Sequence, residues 1–350
     1  MIFSVSASKP ARVLLTLIIG AIGGVLAAWV QIPLPFMIGA MLLATVAALV
    51  GFPALLPNSL RSVFSPVIGV MLGSGFSPAI FSALGGWSIS LLLLLPFIVL
   101  TTLVGTTAMK KISGTDSATS FFASVPGGMV EMVLIGSSLG GDERRLALLH
   151  MLRVLLVVLI IPFWFRWTAG YVSAGLAIDW SHWPPTGDLV ILILCAVGGL
   201  PLGKYARLPA PHIVGPMFLS AGVHLSGLTQ SAPPPVIVAI AQVVVGASIG
   251  ARFAGSPVNM VIKAFRTALW STPLMMVMAL GAAWVISKLI GVPMSTALLA
   301  FAPGGLAEMS LIAVYLHADT AYVASHHIIR IILVVLMAPL GYRLYSAWRK

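Results

Sequence analysis

The sequence Pro-Gly-Gly-x-x-Glu occurs twice, at Pro126–Glu131 and at Pro303–Glu308, each time in the middle of an apolar segment. Proline lacks a backbone N–H and its ring clashes with the preceding turn. Paired glycines permit a sharp reversal, so neither segment should run as one continuous helix. The two breaks belong to a longer duplication. The 37 residues from Pro126 to Pro162 align without a gap on those from Pro303, an offset of 177, with 17 identities. Pro, Gly, Glu, Asp, His and Arg are among the matches, and an apolar bias alone does not reproduce such residues. Upstream, Gly69 meets Gly246 and Pro96 meets Pro273 at the same offset, while Gln31–Met41 meets Arg207–Met217 at 176. The copies are expected at residues 9–167 and 187–347, joined by an external linker at 168–186.

The solvent for most of the chain is lipid. Hydrophobic residues make up 59% of the sequence and charged residues 8%, against roughly 25% charged in ordinary soluble domains. Apolar runs close to the ~20 residues needed to cross a bilayer recur along the whole chain. The first of them, 12–30, follows Lys9 and Arg12 as a signal peptide would. Gly23-Gly24 in it matches Gly198-Gly199 inside the chain, however, so it is expected to be kept as a first span. The net charge of +11 comes from basic residues spread singly or in pairs between apolar runs. That placement reads as topology and not as a nucleic-acid patch. The lone Cys195 excludes an intramolecular disulfide.

The expected fold is an all-α membrane protein of two inverted repeats, each with about five transmembrane helices and a re-entrant or broken helix hairpin. In the first copy the apolar segments are 12–30, 35–51, 62–83, 87–109, a broken one at 116–140, and 144–168. The second repeats them at 188–203, 211–227, 236–255, 265–287, 293–316 and 321–345. If the broken segments do not cross, each copy has an odd number of crossings and the copies must be inverted. Lys204, Arg207, Lys263 and Arg266 then join Arg61, Lys110, Lys111, Arg144 and Arg145 on the cytoplasmic side, as the positive-inside rule requires. Six crossings per copy would put those four outside. Ten crossings with both termini cytoplasmic, in a bacterial inner membrane, is the expected topology. Trp164, Trp167, Tyr171, Trp180 and Trp183 would then form an interfacial belt near the external linker.

Broken backbone at membrane depth persists only where protein or water satisfies the freed groups, so each break implies a cavity. The helix restarting after the glycines directs its free N–H groups and positive dipole end at the break, which suits an anion or polar ligand. Pro126, Gly127, Gly128, Glu131, Pro303, Gly304, Gly305 and Glu308 are therefore the candidate ligand-binding residues. An intramembrane carboxylate is costly unless protonated, paired or bound to a cation. Arg153 and Arg330, each three residues after His150 and His327 and so on the same helix face, are the candidate charge partners. Two readings stand, and both can hold if the pair opens during transport: a structural one, in which Glu131 caps its own half-helix and pairs with Arg153 and Glu308 pairs with Arg330, or a direct role in substrate or proton binding.

Gly69, Gly73, Gly246 and Gly250 form small-xxx-small spacings that pack helices. Pro33-x-Pro35 and Pro209-x-Pro211 set short turns. His212, His224, His317 and His326 show no metal-ligand spacing. No Walker loop, dinucleotide fingerprint or nucleophile elbow is present, so no catalytic residue, cofactor or metal is expected and the chain is not read as an enzyme.

The duplicated Pro-Gly-Gly-x-x-Glu-Met block, with Asp142/Asp319 and the His-x-x-Arg pairs His150/Arg153 and His327/Arg330, resembles the bacterial AbrB family of membrane proteins over nearly the whole chain. It is unrelated to the small soluble DNA-binding regulator of the same name. Members are described as regulators of aidB expression, and some carry an ammonia monooxygenase label. No cytoplasmic segment is large enough for a DNA-binding domain, so direct nucleic-acid contact is not expected, and convergent histidines for copper are not seen. The expected function is carriage of a small polar or anionic solute, with a small molecule or ion and the lipid bilayer as partners and homo-oligomers as an option. The alternative is a membrane-embedded sensor that regulates gene expression indirectly through a partner.

Overall fold

The computed structural model describes residues 8–78, 80–170, 181 and 183–348. Within them the chain is all-α, with fourteen helices in a sevenfold order that runs twice. The first copy contains α1 (Lys9–Trp29), α2 (Pro35–Leu49), α3 (Asn58–Gly73), α4 (Ile80–Ser113), α5 (Ser117–Ser124), α6 (Met129–Ser138) and α7 (Glu143–Ala169). The second contains α8 (Thr186–Tyr205), α9 (Pro211–Leu225), α10 (Pro235–Ala251), α11 (Val258–Ile290), α12 (Met294–Phe301), α13 (Leu306–Tyr315) and α14 (Thr320–Trp348).

Backbone details repeat with the sequence. Gln31 and Leu34 adopt left-handed conformations before α2, as do Arg207 and Ala210 before α9, and each helix starts on the second proline of its Pro-x-Pro turn. Pro96 and Pro273 lie inside the long α4 and α11 without ending them. The linker residues 171–180 and 182, with Tyr171 and Trp180, fall outside the described residues. Trp164, Trp167 and Trp183 stand outward on the surface.

Among the described residues, six helices are long and apolar enough to cross a membrane: α1, α4, α7, α8, α11 and α14. The chain is thus a multi-pass membrane protein by helix length and composition. The other four expected spans form helices of 15 to 17 residues. At 1.5 Å per residue that is about 22–26 Å, short of the ~30 Å hydrocarbon core. Length alone therefore supports six crossings where charge placement counts ten.

Two compact units divide the chain, and each takes helices from both copies. The first gathers α1–α3 and α8–α10, with the end of α7 from Ile161 and the stretch Val314–Ala321. The second gathers α4, α5, α6, most of α7, α11, α12, most of α13 and α14 from Tyr322.

The first unit is closed by backbone approach between small residues. A Cβ on Gly39 would enter the Gly23 carbonyl, and one on Gly215 would enter the Gly199 carbonyl, so α1 packs on α2 as α8 packs on α9. The glycines of α3 and α10 make the exchange between copies. Gly69 rests on the carbonyl of Ile213 in α9, and its counterpart Gly246 rests on that of Met37 in α2. These are the contacts expected of small-xxx-small spacings, since close approach is the main source of van der Waals gain between helices in lipid.

Candidate functional site

The second unit contains both breaks. In each copy two half-helices replace one span: α5 ends at Ser124 and α6 begins at Met129, while α12 ends at Phe301 and α13 begins at Leu306. Asp116 caps α5 by accepting from the Thr119 N–H at 2.7 Å. Asp142 caps α7 through the Arg145 N–H at 3.1 Å, which makes this acid a helix cap.

The four-residue gap frees carbonyl groups at the end of the first half-helix, and an arginine from a neighbouring helix satisfies them. Arg153 of α7 donates to the carbonyl oxygens of Ala123 at 3.2 Å and Val125 at 2.9 Å, with a longer reach of 3.4 Å to Gly127. Arg330 of α14 donates to Ala302 at 2.7 Å and Gly304 at 2.9 Å. Val125/Ala302 and Gly127/Gly304 are equivalent positions, so the device is duplicated with the sequence. Both guanidinium groups are buried, at 5% and 2% exposure, and the Nε of each has no hydrogen-bond partner.

The glutamates face elsewhere. Glu131 and Glu308 are the third residues of α6 and α13, whose N-caps are Gly128 and Gly305. This is the position from which a carboxylate reaches back to the N-cap in a capping box. Each carboxylate lies over that glycine, where a Cβ would collide with its Oε2. The anticipated Glu131–Arg153 and Glu308–Arg330 ion pairs are therefore not formed. The arginines bind negative carbonyl ends, and the glutamates cover positive helix starts. Glu308 is buried and Glu131 is half-buried.

The histidines of the two copies differ. His327 sits between partners: its Nε2–H donates to the Leu299 carbonyl at 3.0 Å, and its Nδ1 accepts from Arg330 at 2.9 Å. His150 turns back on its own helix, with Nδ1 at 2.9 Å from the Leu146 carbonyl, and its buried Nε2 has no partner.

The breaks are neighbours across α14. Gly127 of the first break abuts Val334, 2.5 Å from where a Cβ would stand. Val334 is one turn beyond Arg330, which holds the second break. Phe121 and Phe122 of α5 pack on Tyr342 of α14, and Phe301 of α12 packs on Phe97 of α4. Each hairpin is thereby seated on a helix of the other copy.

The duplicated His-x-x-Arg spacing marked both arginines, but apart from the Arg330–His327 bond their partners are backbone oxygens 26 to 30 residues away. The available signal was the break itself, because carbonyls freed at membrane depth need a multidentate donor and arginine offers five N–H groups. The surroundings of His326, which has no metal-ligand spacing in the sequence, come only from the tertiary structure. His326 is enclosed by Trp87, Phe301 and Tyr322, with its Nε2 at 2.8 Å from Ser90 Oγ.

The model of the family described as "Transition state regulatory protein AbrB" matches residues 36–346. The chain belongs to this AbrB family. Two relatives match nearly end to end. YhjN of Bacillus subtilis (strain 168) is 31% identical, covering 93% of this chain and 91% of that protein. "Putative regulator AbrB" of Escherichia coli (strain K12) is 26% identical, covering 91% and 92%. The match takes in both break motifs and both arginines, so the duplicated site belongs to the region this AbrB-family chain shares with its family model.

Proposed function

We propose that this AbrB-family protein is a secondary carrier of a small polar or anionic solute, bound where the two Pro-Gly-Gly breaks meet. One observation carries the reading: Arg153 and Arg330 are buried beside the breaks with no carboxylate partner, and each retains an unpaired Nε. A buried cation held by carbonyls and, for Arg330, a neutral imidazole, with no counter-charge, is an expensive arrangement that an anionic ligand would relieve. The starts of α6 and α13 add two positive helix ends. In the resting arrangement Glu131 and Glu308 cover those ends. Protonation of a glutamate, or its swing outward, would release a helix start to a solute anion, which couples solute binding to a proton.

In this reading ten segments cross a bacterial inner membrane, both termini face the cytoplasm, the copies are inverted, and the protein performs no covalent chemistry. Paired broken helices at inverted repeats are the usual construction of secondary transporters. The printed name of the E. coli relative favours a second reading, a membrane sensor that uses the same cavity and signals through a partner.

Counterflow in proteoliposomes loaded with a panel of metabolite anions decides between them. Movement of at least one anion, abolished in the Glu131→Gln, Glu308→Gln double variant, is the expected result. No movement of any metabolite, with transcription still responding in cells carrying that double variant, sinks the carrier.

A further inference from the structure

A basic cavity lies in the same unit, away from the breaks. It has a volume of about 730 Å³, opens to the outside, and is lined by the end of α4, the turn that follows it, the start of α7 and the first turns of α11. Its polar lining includes Arg145, Lys263, Arg266 and Thr267, and no carboxylate is among the described residues that line it. Asp142 pairs with Arg145 at 3.3 Å from its Nε, and Lys263 and Arg266 have no ion pair among the described residues. Thr267 and Ser113 join the walls through a 3.0 Å hydrogen bond. Ile112, Leu149 and Trp270 supply apolar lining next to these polar groups. Ile262, Phe265 and Leu269 continue that apolar character along the outward face of α11.

The duplication supplies an internal control. At an offset of 177, Arg145 corresponds to Tyr322, Lys263 to Gly86, Arg266 to Ile89, and Thr267 to Ser90. The equivalent place in the other half of the unit carries none of the three cations. Trp87, Tyr322 and His326 fill it instead, with Tyr322 and His326 in ring contact at 3.9 Å and Ser90 bonded to His326. The fold therefore does not require an open basic cavity here. One copy closes the position with aromatic rings, and the other leaves it open with three cations.

From this pairing of cations with an apolar lining we infer that the cavity binds a phosphate group, supplied by the headgroup of an anionic phospholipid. The cations and hydroxyls take the phosphate oxygens, Trp270 sits at headgroup level, and an acyl chain follows the apolar face of α11. Lys and Arg pockets between transmembrane helices are suited to such headgroups, because each cation attracts the anionic lipid. A free phosphate ion would use the same cations but not the apolar lining.

The test measures binding by native mass spectrometry and by thermal shift on the full-length protein in neutral detergent. The probes are phosphatidylglycerol, phosphatidylcholine and inorganic phosphate. The expected result is retention of phosphatidylglycerol over phosphatidylcholine by at least tenfold. That preference should be lost in Lys263→Gln, Arg266→Gln and kept in Lys111→Gln, Arg144→Gln, which removes the same charge nearby but outside the cavity. Inorganic phosphate that protects wild type and not the first variant, without any lipid preference, upholds the phosphate site and overturns the lipid as its source. Equal affinity for both lipids with no effect of phosphate, or equal loss in the two variants, overturns the site. The readout is binding alone, so it stands or falls separately from solute carriage at the breaks.

Discussion

Arg330 donates to Nδ1 of His327 at 2.9 Å, and this bond decides which imidazole nitrogen carries the proton. An arginine cannot accept, so Nδ1 must be bare and Nε2–H must face Leu299. The first copy has the same two residues in the same register without the bond, because His150 turns toward Leu146. The stability consequences should therefore differ. His327→Leu strands the Leu299 oxygen and one Arg330 N–H, at about 1–3 kcal/mol for each group. His150→Leu removes a buried nitrogen that has no partner and should be neutral or slightly stabilising. Urea titration in micelles checks this, and equal losses in the two variants would refute the asymmetry.

The glycines separate by what a methyl group would meet. Gly39→Ala and Gly215→Ala drive a Cβ into a backbone carbonyl of the adjoining helix, which cannot move aside as a side chain can. Overpacking of this kind costs about 1–3 kcal/mol, occasionally more. Gly222→Ala and Gly281→Ala meet nothing within 4 Å and should gain up to about 1 kcal/mol from helix propensity. Thermal unfolding of the four variants in one detergent orders them, and a cost at Gly281 similar to that at Gly39 would contradict the packing described.

The carboxylate over Gly128 predicts non-additive variants. Gly128→Ala displaces the Glu131 side chain from the helix start without removing its charge. It should reduce solute movement to the level of Glu131→Gln, and the double variant should be no worse than either. Gly305→Ala and Glu308→Gln should behave alike. Additive losses in counterflow would mean that the glycine and the carboxylate act separately.

Topology has a direct chemical readout, because the one native thiol, Cys195, is buried and can be replaced by alanine. Single cysteines at Lys204 and Lys263 on that background should react with a membrane-impermeant maleimide in inside-out vesicles and not in intact cells. Labelling from outside would reject the inverted arrangement and restore six crossings per copy.

The duplication, the helix breaks and the lipid-facing composition were all legible in the linear sequence. Each depends on local chemistry: proline lacks a donor, glycine lacks a Cβ, and apolar runs have a length set by the bilayer. The roles of Gly69 and Gly246 were legible as packing, but their partners were not, since the carbonyls of Ile213 and Met37 belong to the other copy. Of the two readings open for the charged residues, the Glu131–Arg153 ion pair is not formed: Arg153 donates to backbone carbonyls and Glu131 lies over the start of its own half-helix.

Sequence alone thus determined that the chain is a duplicated, helical, multi-pass membrane protein with a break in each copy. The tertiary structure decided that each compact unit draws on both copies, that Arg153 and Arg330 hold the broken backbone, and that one of two equivalent positions is filled by aromatic rings while the other stays open. The reason is reach. Breaks and spans follow from interactions within a few residues, while carbonyl partners and cavities depend on which surfaces meet when segments more than a hundred residues apart are packed together.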